Sequence, residues 1–270
     1  MDSLTRQSLM LLADLVAERV GLHYDDDDLD LFRSKIAERM TRAGFESLLD
    51  YYYFLRYDAE SQVEFGALVD AVVVNETYFF RECEPLEVLV DQVLAPAVAR
   101  GERPRVWSAA CSTGEEPLTL AMLLDRRDLL GRVEIVASDV SDRALRRARE
   151  GVYSGRSLRA LPAGVIGTWL ETRDGSTQIA ARLRDAIRWE RLNLLDESAV
   201  AALGRFDAVL CRNVLIYFAD ATTLSVVSRL GNALKPGGWL FVGVSESLLR
   251  FGTALRCEEY RNVFYYRRPA

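Results

Sequence analysis

Apolar residues recur at helical spacing along roughly the first 70 residues, a stretch without proline. The positions that mark three helices are Leu4, Leu11, Leu12 and Leu15, then Phe32, Ile36 and Met40, and finally the segment Phe45–Tyr57. Gly44 is typical of the end of the second helix. This part of the chain is therefore predicted to be a small all-helical domain.

From about Arg105 the pattern changes to short apolar runs that alternate with helical stretches. The predicted strands are Arg105–Cys111, Val133–Val140, Ile187–Leu195, Asp207–Phe218 and Trp239–Val244, and the predicted helices are Glu116–Asp125, Asp142–Glu150 and Ala221–Leu234. Such alternation predicts an α/β fold with a doubly wound, mostly parallel sheet.

Two segments depart from this alternation. Lys235–Gly238 is predicted to be a turn, and Val263–Arg267 a last strand that is inserted antiparallel beside its neighbour, because no long helix precedes it. Residues 156–192 lie where one helix is expected, but they contain Asp174-Gly175 between two candidate short strands. We predict that this stretch is a small inserted β-subdomain.

Composition limits the classes of function. Of the 270 residues, 50% are hydrophobic and 27% are charged, as in ordinary globular enzymes, and the net charge of -6 argues against general nucleic-acid binding. No apolar run approaches the roughly 20 residues that cross a bilayer. Met1–Arg6 leads into an acidic amphipathic stretch rather than a signal peptide. We therefore expect a cytoplasmic protein that does not insert into a membrane.

The residues that usually bind metals are scarce. His23 is the only histidine, and the cysteines Cys83, Cys111, Cys211 and Cys257 show no CxxC spacing. The acidic run at positions 25–28 lacks the glycine and glutamate spacing of an EF-hand. The sequence therefore predicts no metal site, no disulfide framework and no histidine-based triad.

The first predicted strand of the sheet ends in a turn of small residues, Ser108–Gly114, followed by Glu115 and Glu116 at a helix start. Backbone N–H groups of such a turn can approach a ligand closely. The two carboxylates would repel a phosphate and favour a cation. S-adenosylmethionine carries a sulfonium and an ammonium and no phosphate. The turn therefore favours this cofactor over NAD, whose GxGxxG pattern is also missing.

Asp139 stands at the carboxyl end of the second predicted strand, where ribose hydroxyls are bound in such folds. It could equally cap the helix that begins at Asp142, a role that Ser141 could also fill. Taken together with the acidic turn, the position favours the ribose role.

The run Asn75-Glu76-Thr77-Tyr78-Phe79-Phe80-Arg81 resembles the NxTxFFR signature of the CheR chemoreceptor methyltransferases, and Cys211–Phe218 resembles their CRNVxIYF run. Further matches in order and spacing are Ser108–Pro117, Ala137-Ser138-Asp139, Asn193-Leu194-Leu195 and Leu234–Ser247. The resemblance spans nearly the whole chain. It implies a Rossmann-like class I methyltransferase domain over residues 73–270, preceded by a helical, receptor-docking domain over residues 1–72.

The resemblance also implies roles for individual residues. The expected cofactor-binding residues are Asn75, Thr77, Arg81, Glu116, Asp139, Asn193, Leu194, Arg212 and Asn213. Arg81 and Tyr217 are expected to face the reacting groups. The implied reaction esterifies glutamate side chains in the cytoplasmic methylation region of chemoreceptor coiled coils. A glutamate carboxylate is ionised at neutral pH and is already a nucleophile, so the reaction needs no general base.

Plain structural roles stay open for these motifs on the residues alone. Asn75 could cap a helix whose Phe79 and Phe80 pack in the core, with Arg81 in solvent. Arg212-Asn213 could be a polar strand end in contact with water. The resemblance favours the functional roles.

Lys35, Arg39 and Arg42 fall at i, i+4 and i+7 of the second helix and so lie on one face. Most such rows are solvated helix faces. In the CheR family, however, the helical domain docks onto the receptor, and a basic row would suit an acidic methylation region. We predict that these residues dock the substrate. Separately, we expect the protein to be a monomer.

The inserted subdomain bears on how the receptor is reached. Some CheR relatives use a longer glycine-containing loop there to bind a peptide tether at the receptor's C-terminus. The turn at 173–176 is short, which predicts activity without a tether.

The sequence leaves two alternative functions open. One is a non-catalytic sensor that binds the cofactor, and the intact set Arg81, Arg212, Asn213 and Tyr217 argues against it. The other is a small-molecule methyltransferase, against which the basic row argues.

Overall fold

The structure is a computed structural model that describes residues 3–173 and 175–270. Met1 and Asp2 of the N-terminal segment, and Asp174 of the turn predicted in the inserted subdomain, lie outside the described residues. No helix within the described ranges is long and apolar enough to cross a membrane.

The N-terminal helices share one apolar core, as predicted. They are α1 (Ser3–Val20), α2 (Leu29–Arg42), α3 (Leu48–Tyr57) and α4 (Ser61–Val72). Leu12 and Leu15 of the first predicted stripe are buried. Leu4 and Leu11 are exposed, because α1 turns Leu9 rather than these two toward the other helices.

Single residues, Gly44 and Ser47, determine where α2 ends and where α3 begins. Gly44 has a φ of +82°, a conformation that glycine reaches without strain, and α2 stops just before it. α3 starts at Leu48 rather than Phe45, because the Ser47 hydroxyl caps the helix by accepting the N–H of Asp50 at 3.2 Å.

The rest of the chain alternates strands and helices. The helices are α5 (Glu84–Leu89), α6 (Ala95–Ala99), α7 (Glu115–Asp125), α8 (Asp142–Glu150), α9 (Ala181–Asp185), α10 (Glu197–Ala202) and α11 (Asp220–Ala233). The strands are β1 (Arg105–Ala109), β2 (Glu134–Asp139), β3 (Val152–Tyr153), β4 (Leu170–Arg173), β5 (Ser176–Ile179), β6 (Ile187–Arg191), β7 (Phe206–Cys211), β8 (Leu234–Phe241), β9 (Arg256–Tyr260) and β10 (Val263–Arg267).

Within the described residues, seven strands form the main sheet in the order β6-β2-β1-β7-β8-β10-β9. β10 runs antiparallel to both β8 and β9, and the other pairs are parallel. Successive residues of β1 enter different apolar clusters, Val106 on one face and Trp107 on the other. The predicted Rossmann-like class I fold with an inserted antiparallel last strand is confirmed.

Two features at this end of the sheet differ from the expectation. Lys235–Gly238 lies inside β8, where the pairing with β7 jumps between Phe206 and Ala208, so the expected turn is a bulge. β9 had no strand signal, because it is an edge strand whose residues are mostly exposed or half-buried and include Glu258 and Glu259.

The small sheet, in the order β3-β5-β4, lies between Val152 and Ile179. It therefore begins before the predicted insert at 156–192. The last part of that range belongs elsewhere, because Ile187–Arg191 pairs with β2 in the main sheet. The Asp125 carboxylate holds the insert against α7 by accepting the Trp169 indole N–H at 2.6 Å.

Candidate active site

One pocket lies where the carboxyl ends of β1, β2 and β7 meet the end of the helical domain. It encloses about 1020 Å³ of empty space, part of which is open to solvent. The residues predicted to bind the cofactor all line it, and so does Tyr217. Val20, the last residue of α1, and Leu22, just after it, form the wall contributed by the helical domain.

The linker from α4 to α5 carries Asn75, Thr77 and Arg81 along one side of this pocket. No helix begins at Asn75, which excludes the helix-cap alternative for this motif. Phe79 is fully buried and packs edge-on to Tyr153 with ring centroids 4.8 Å apart. The Phe79 side chain therefore anchors the linker so that its polar residues face the pocket.

Arg81 is held at the end of this linker. Its Nη1 donates to the Glu76 carbonyl oxygen at 2.8 Å, and its Nε lies 3.9 Å from a Glu82 carboxylate oxygen. Phe80 and Glu82, on either side of Arg81, both have positive φ, at +61° and +44°. This backbone is strained for residues other than glycine and gives the loop a sharp local shape.

The turn after β1 approaches the pocket as the small-residue pattern predicted. Gly114 has a φ of +92°, and a β-carbon there would lie 2.8 Å from Ala148 and 2.9 Å from the Trp189 ring. Only glycine fits this position. Of the two acidic residues that follow, Glu116 lines the pocket, whereas Glu115 is 1% exposed and does not.

Glu115 joins the cofactor turn to the inserted subdomain. Its carboxylate accepts the Thr113 hydroxyl at 2.6 Å and the Ser157 hydroxyl at 2.7 Å. Burial raises the pKa of Glu115, and these two hydrogen bonds oppose the rise. The Ser157 carbonyl also accepts the Phe79 N–H at 3.0 Å, so one residue of the insert holds both the cofactor turn and the Arg81 linker.

Asp139 is fixed at the end of β2 by backbone groups. Its two oxygens accept the N–H groups of Ser112 at 2.8 Å and Ser141 at 2.9 Å. The cap of α8 is Ser141, whose hydroxyl accepts the Ala144 N–H at 3.0 Å, so the helix-cap alternative for Asp139 is excluded. Burial raises the pKa of Asp139, and the backbone hydrogen bonds oppose this.

Arg212 is the buried hub of the site, with its side chain 3% exposed. Its Nη1 donates to Glu116 at 3.0 Å, and its Nη2 donates to the Glu82 carboxylate at 3.0 Å and to the Arg81 carbonyl at 3.1 Å. Burial alone would lower the pKa of Arg212, but the two carboxylates outweigh it and raise the pKa. The alternative of a strand end in contact with water is therefore excluded.

A residue that sequence reasoning did not single out holds the loop after β7. The Glu246 carboxylate is 7% exposed and accepts backbone N–H groups of this loop, including that of Asn213 at 2.7 Å. Glu246 falls inside the matching segment Leu234–Ser247, but nothing in its spacing connects it to a loop some 30 residues away.

Tyr217 lies in this loop, half-buried in the pocket. Burial raises its pKa, while the nearby Arg81 charge opposes the rise. Among residues 3–173 and 175–270, the Tyr217 hydroxyl makes no hydrogen bond. Its carbonyl oxygen accepts the His23 N–H at 2.8 Å, and Leu22 forms a β-bridge with Phe218. The helical domain therefore contacts the Tyr217 loop directly.

The predicted docking row is not a continuous exposed face. Lys35 donates to the Val72 carbonyl at 2.8 Å, and burial lowers its pKa. Arg39 forms a two-pronged ion pair with Glu64, at 2.7 and 2.5 Å, with its side chain 26% exposed. Only Arg42 is well exposed, and it pairs with Glu38. None of the three lines the pocket.

The comparisons with known proteins agree with this geometry. Residues 75–264 match the family described as CheR methyltransferase, SAM binding domain, and residues 7–73 match the CheR methyltransferase all-alpha domain. The chain belongs to the CheR methyltransferase family. It is an S-adenosylmethionine-dependent methyltransferase, and its cofactor and product are S-adenosylmethionine and S-adenosylhomocysteine.

CheR relatives match over most of their own length. Chemotaxis protein methyltransferase 2 of Vibrio cholerae is 35% identical over 262 residues, 95% of this chain and 91% of that protein. Chemotaxis protein methyltransferase 1 of Pseudomonas aeruginosa is 36% identical over 81% of this chain and 82% of its own. The chemotaxis protein methyltransferase of Escherichia coli is 32% identical, with coverages of 87% and 82%.

The CheR pocket fits its cofactor chemically. Asp139 and Glu116 offer carboxylate oxygens to hydroxyl and ammonium donors, and no lysine lies among the described residues of the lining. Arg212 Nε is buried and has no partner among the described residues, which leaves one donor at the pocket for an acceptor group. In the described ranges, no group of three or more His, Cys, Asp or Glu side chains could hold a metal ion.

Proposed function

We propose that this CheR methyltransferase transfers the methyl group of S-adenosylmethionine to glutamate side-chain carboxylates of chemoreceptors. The reaction gives glutamate methyl esters, takes place in the cytoplasm and requires only a monomer. The observation that carries the proposal is that Arg81 and Tyr217 share one pocket with the acidic residues Glu116 and Asp139. The relatives support the receptor as substrate, because each is a chemotaxis protein methyltransferase.

The pocket suits a carboxylate nucleophile. Its described lining contains no histidine, and an ionised glutamate needs no base to activate it. The bound cofactor supplies an electrophilic methyl group on its sulfonium. The task of the protein is then to align one carboxylate oxygen with that methyl group.

We assign this alignment to Arg81 and Tyr217. A guanidinium offers a planar set of donors to a carboxylate, and a phenol hydroxyl can donate to its second oxygen. Burial raises the pKa of Tyr217, so its hydroxyl stays protonated and able to donate at neutral pH. The hydroxyl has no other partner in the described chain and is available to a substrate.

Other residues hold the cofactor side of the pocket. Backbone N–H groups fix the Asp139 carboxylate, and each of its oxygens keeps a lone pair for a ribose hydroxyl. Glu116 is fixed by the Ser108 hydroxyl at 2.7 Å and by Arg212, and we assign it to the cationic amino group of the cofactor.

The receptor docks on the helical domain in this proposal. Arg42 presents the exposed charge of the predicted row, while Lys35 and Arg39 hold α2 against Val72 and Glu64. Because Lys35 and Arg39 are paired within the protein, the basic row argues less strongly against a small-molecule substrate than a fully exposed row would. Receptor specificity therefore rests more on the chemotaxis relatives than on charge.

Tether independence is part of the proposal. Strands β4 and β5 pair up to Arg173 and Ser176, so the hairpin between them is short. We expect equal turnover on receptor fragments with and without their C-terminal tail. At least tenfold faster turnover with the tail would contradict tether independence while leaving receptor methylation intact.

Tyr217→Phe tests the assigned chemistry. The variant keeps the ring and removes the donor, so kcat on receptor fragments is expected to fall about 10- to 100-fold, with S-adenosylhomocysteine affinity within about threefold. Tyr57→Phe is the matched control, because Tyr57 is 72% exposed on α3. An unchanged kcat would remove Tyr217 from the reacting carboxylate.

A further inference from the structure

Glu246 is a buried acidic residue whose carboxylate, in the part of the chain that the structure describes, accepts hydrogen bonds from backbone N–H groups alone. One carboxylate oxygen accepts the N–H groups of Asn213 at 2.7 Å and Gly243 at 2.6 Å. The other accepts those of Leu215 at 2.7 Å and Ile216 at 3.3 Å. Within residues 3–173 and 175–270, no lysine or arginine forms an ion pair with it. Oriented N–H dipoles are therefore what compensates the buried charge.

These hydrogen bonds determine the path of the loop after β7. Asn213 has a φ of +59°, in the left-handed region that asparagine adopts more readily than other residues with a side chain. Three of the four donors lie between Asn213 and Ile216, immediately before Tyr217. The carboxylate thus fixes the backbone from which the Tyr217 side chain projects.

Gly243 has no side chain, and this leaves space for the contact between Glu246 and the loop. A β-carbon on Gly243 would lie 2.6 Å from the side-chain Nδ2 of Asn213, 2.8 Å from a Glu246 carboxylate oxygen and 3.0 Å from the backbone nitrogen of Asn213. An alanine there would push directly on the carboxylate and on Asn213. The Gly243 N–H donates to the same oxygen that accepts from Asn213.

We propose that Glu246 is a positioning residue for methyl transfer, which holds the Tyr217 hydroxyl where the substrate carboxylate binds. It touches neither the pocket nor the reacting groups and acts through the 213–217 loop. The inference rests on the proposed role of Tyr217 in the reaction. A carboxylate is required, because each oxygen accepts two N–H groups and the NH₂ of a glutamine would oppose one such pair.

The test is a double-mutant cycle between Glu246→Gln and Tyr217→Phe, with Glu197→Gln as control, since Glu197 is an exposed glutamate on α10. Glu246→Gln is expected to lower kcat about tenfold, with the S-adenosylhomocysteine dissociation constant within about threefold. In the Tyr217→Phe background the same change is expected to cost less than about twofold, because the group being positioned is gone.

The outcomes separate this inference from the proposed function. If Tyr217→Phe lowers kcat, and adding Glu246→Gln lowers kcat again by the same factor as in the wild type, Glu246 does not act through Tyr217. The inference then fails while the proposed function stands. A fully active Tyr217→Phe overturns the inference together with the role assigned to Tyr217, while methylation of the receptor itself stands. Should Glu246→Gln fold poorly, Gly243→Ala keeps the carboxylate and disturbs the same contact, and it is expected to show the same kcat loss and the same non-additivity.

Discussion

The side-chain Nδ2 of Asn193 donates a 2.6 Å hydrogen bond to the carbonyl oxygen of Arg19. Arg19 lies in the last turn of α1, so a residue predicted for the cofactor pocket also ties the sheet to the helical domain. The Oδ1 of Asn193 accepts the Leu195 N–H at 3.0 Å. The pocket wall formed by Val20 and Leu22 is therefore held in place from the cofactor side.

Asn193→Asp should weaken cofactor binding. The change keeps an acceptor for the Leu195 N–H but turns an oxygen toward the Arg19 carbonyl, which pushes the end of α1 away. We expect the dissociation constant for S-adenosylhomocysteine to rise about 3- to 10-fold in calorimetric titration, the equivalent of one lost hydrogen bond. Asn232→Asp, at an exposed site on α11, is the control. Equal affinity in Asn193→Asp and wild type would show that the tie is irrelevant to binding.

Arg212→Lys should destabilise the protein far more than a surface exchange. A lysine cannot reach both Glu116 and Glu82 while also donating to the Arg81 carbonyl, and so leaves acceptors that are only partly exposed without their partner. We expect a loss of about 3–5 kcal/mol in the free energy of unfolding, measured by denaturant titration.

Arg250→Lys is the matched exchange for Arg212, because Arg250 pairs with Asp220 and both side chains are about two-thirds exposed. Its effect on the free energy of unfolding should be much smaller. Similar losses for the two variants would mean that the Arg212 network contributes little.

The sheet and the pocket could be predicted from the sequence because their signals are local. The carboxyl ends of parallel strands meet at one edge, so motifs that end β1, β2 and β7 had to converge there. Contacts between distant segments carry no such signal. The roles of Glu246 and of the Arg19 carbonyl can be recognised only in the folded structure, because the segments that they hold are distant in the sequence.

The basic row on α2 shows a second limit of sequence reasoning. Helical periodicity places Lys35, Arg39 and Arg42 on one face, but it does not say what that face meets. α4 packs beside α2 and brings Glu64 and the Val72 carbonyl to two of the three charges. Whether a charged row is paired internally or left in water depends on the neighbouring helix.

Arg39→Ala and Arg42→Ala should separate structure from docking. Removal of Arg39 leaves the mostly buried Glu64 with the Tyr51 hydroxyl as its one remaining partner among the described residues, so we expect a loss of about 1.5–3 kcal/mol in unfolding free energy. Arg42→Ala should leave stability unchanged and raise KM for receptor fragments about threefold or more. An unaltered KM in Arg42→Ala would remove the exposed end of α2 from the docking surface.

The destabilisation by Ser157→Ala should depend on pH. The Ser157 hydroxyl stabilises the charged form of Glu115, whose folded-state pKa is raised above 4.5 by burial. Its contribution, about 1–3 kcal/mol, is therefore present when Glu115 is ionised and lost as pH falls through the folded pKa. Denaturant unfolding of variant and wild type is compared at about pH 7.5 and at a lower pH, chosen below the pKa of Glu115 that titration of the wild type gives. A difference that does not shrink at the lower pH would contradict the contact with a carboxylate.

Carboxyl methylation itself is tested most directly with radiolabelled S-adenosylmethionine and receptor cytoplasmic fragments. Glutamate methyl esters release volatile methanol in base, whereas methyl groups on nitrogen or carbon do not. We predict base-labile label on the receptor with wild-type protein and none with Arg81→Ala. Base-stable label, or S-adenosylhomocysteine binding without any transfer to receptor fragments, would contradict the account.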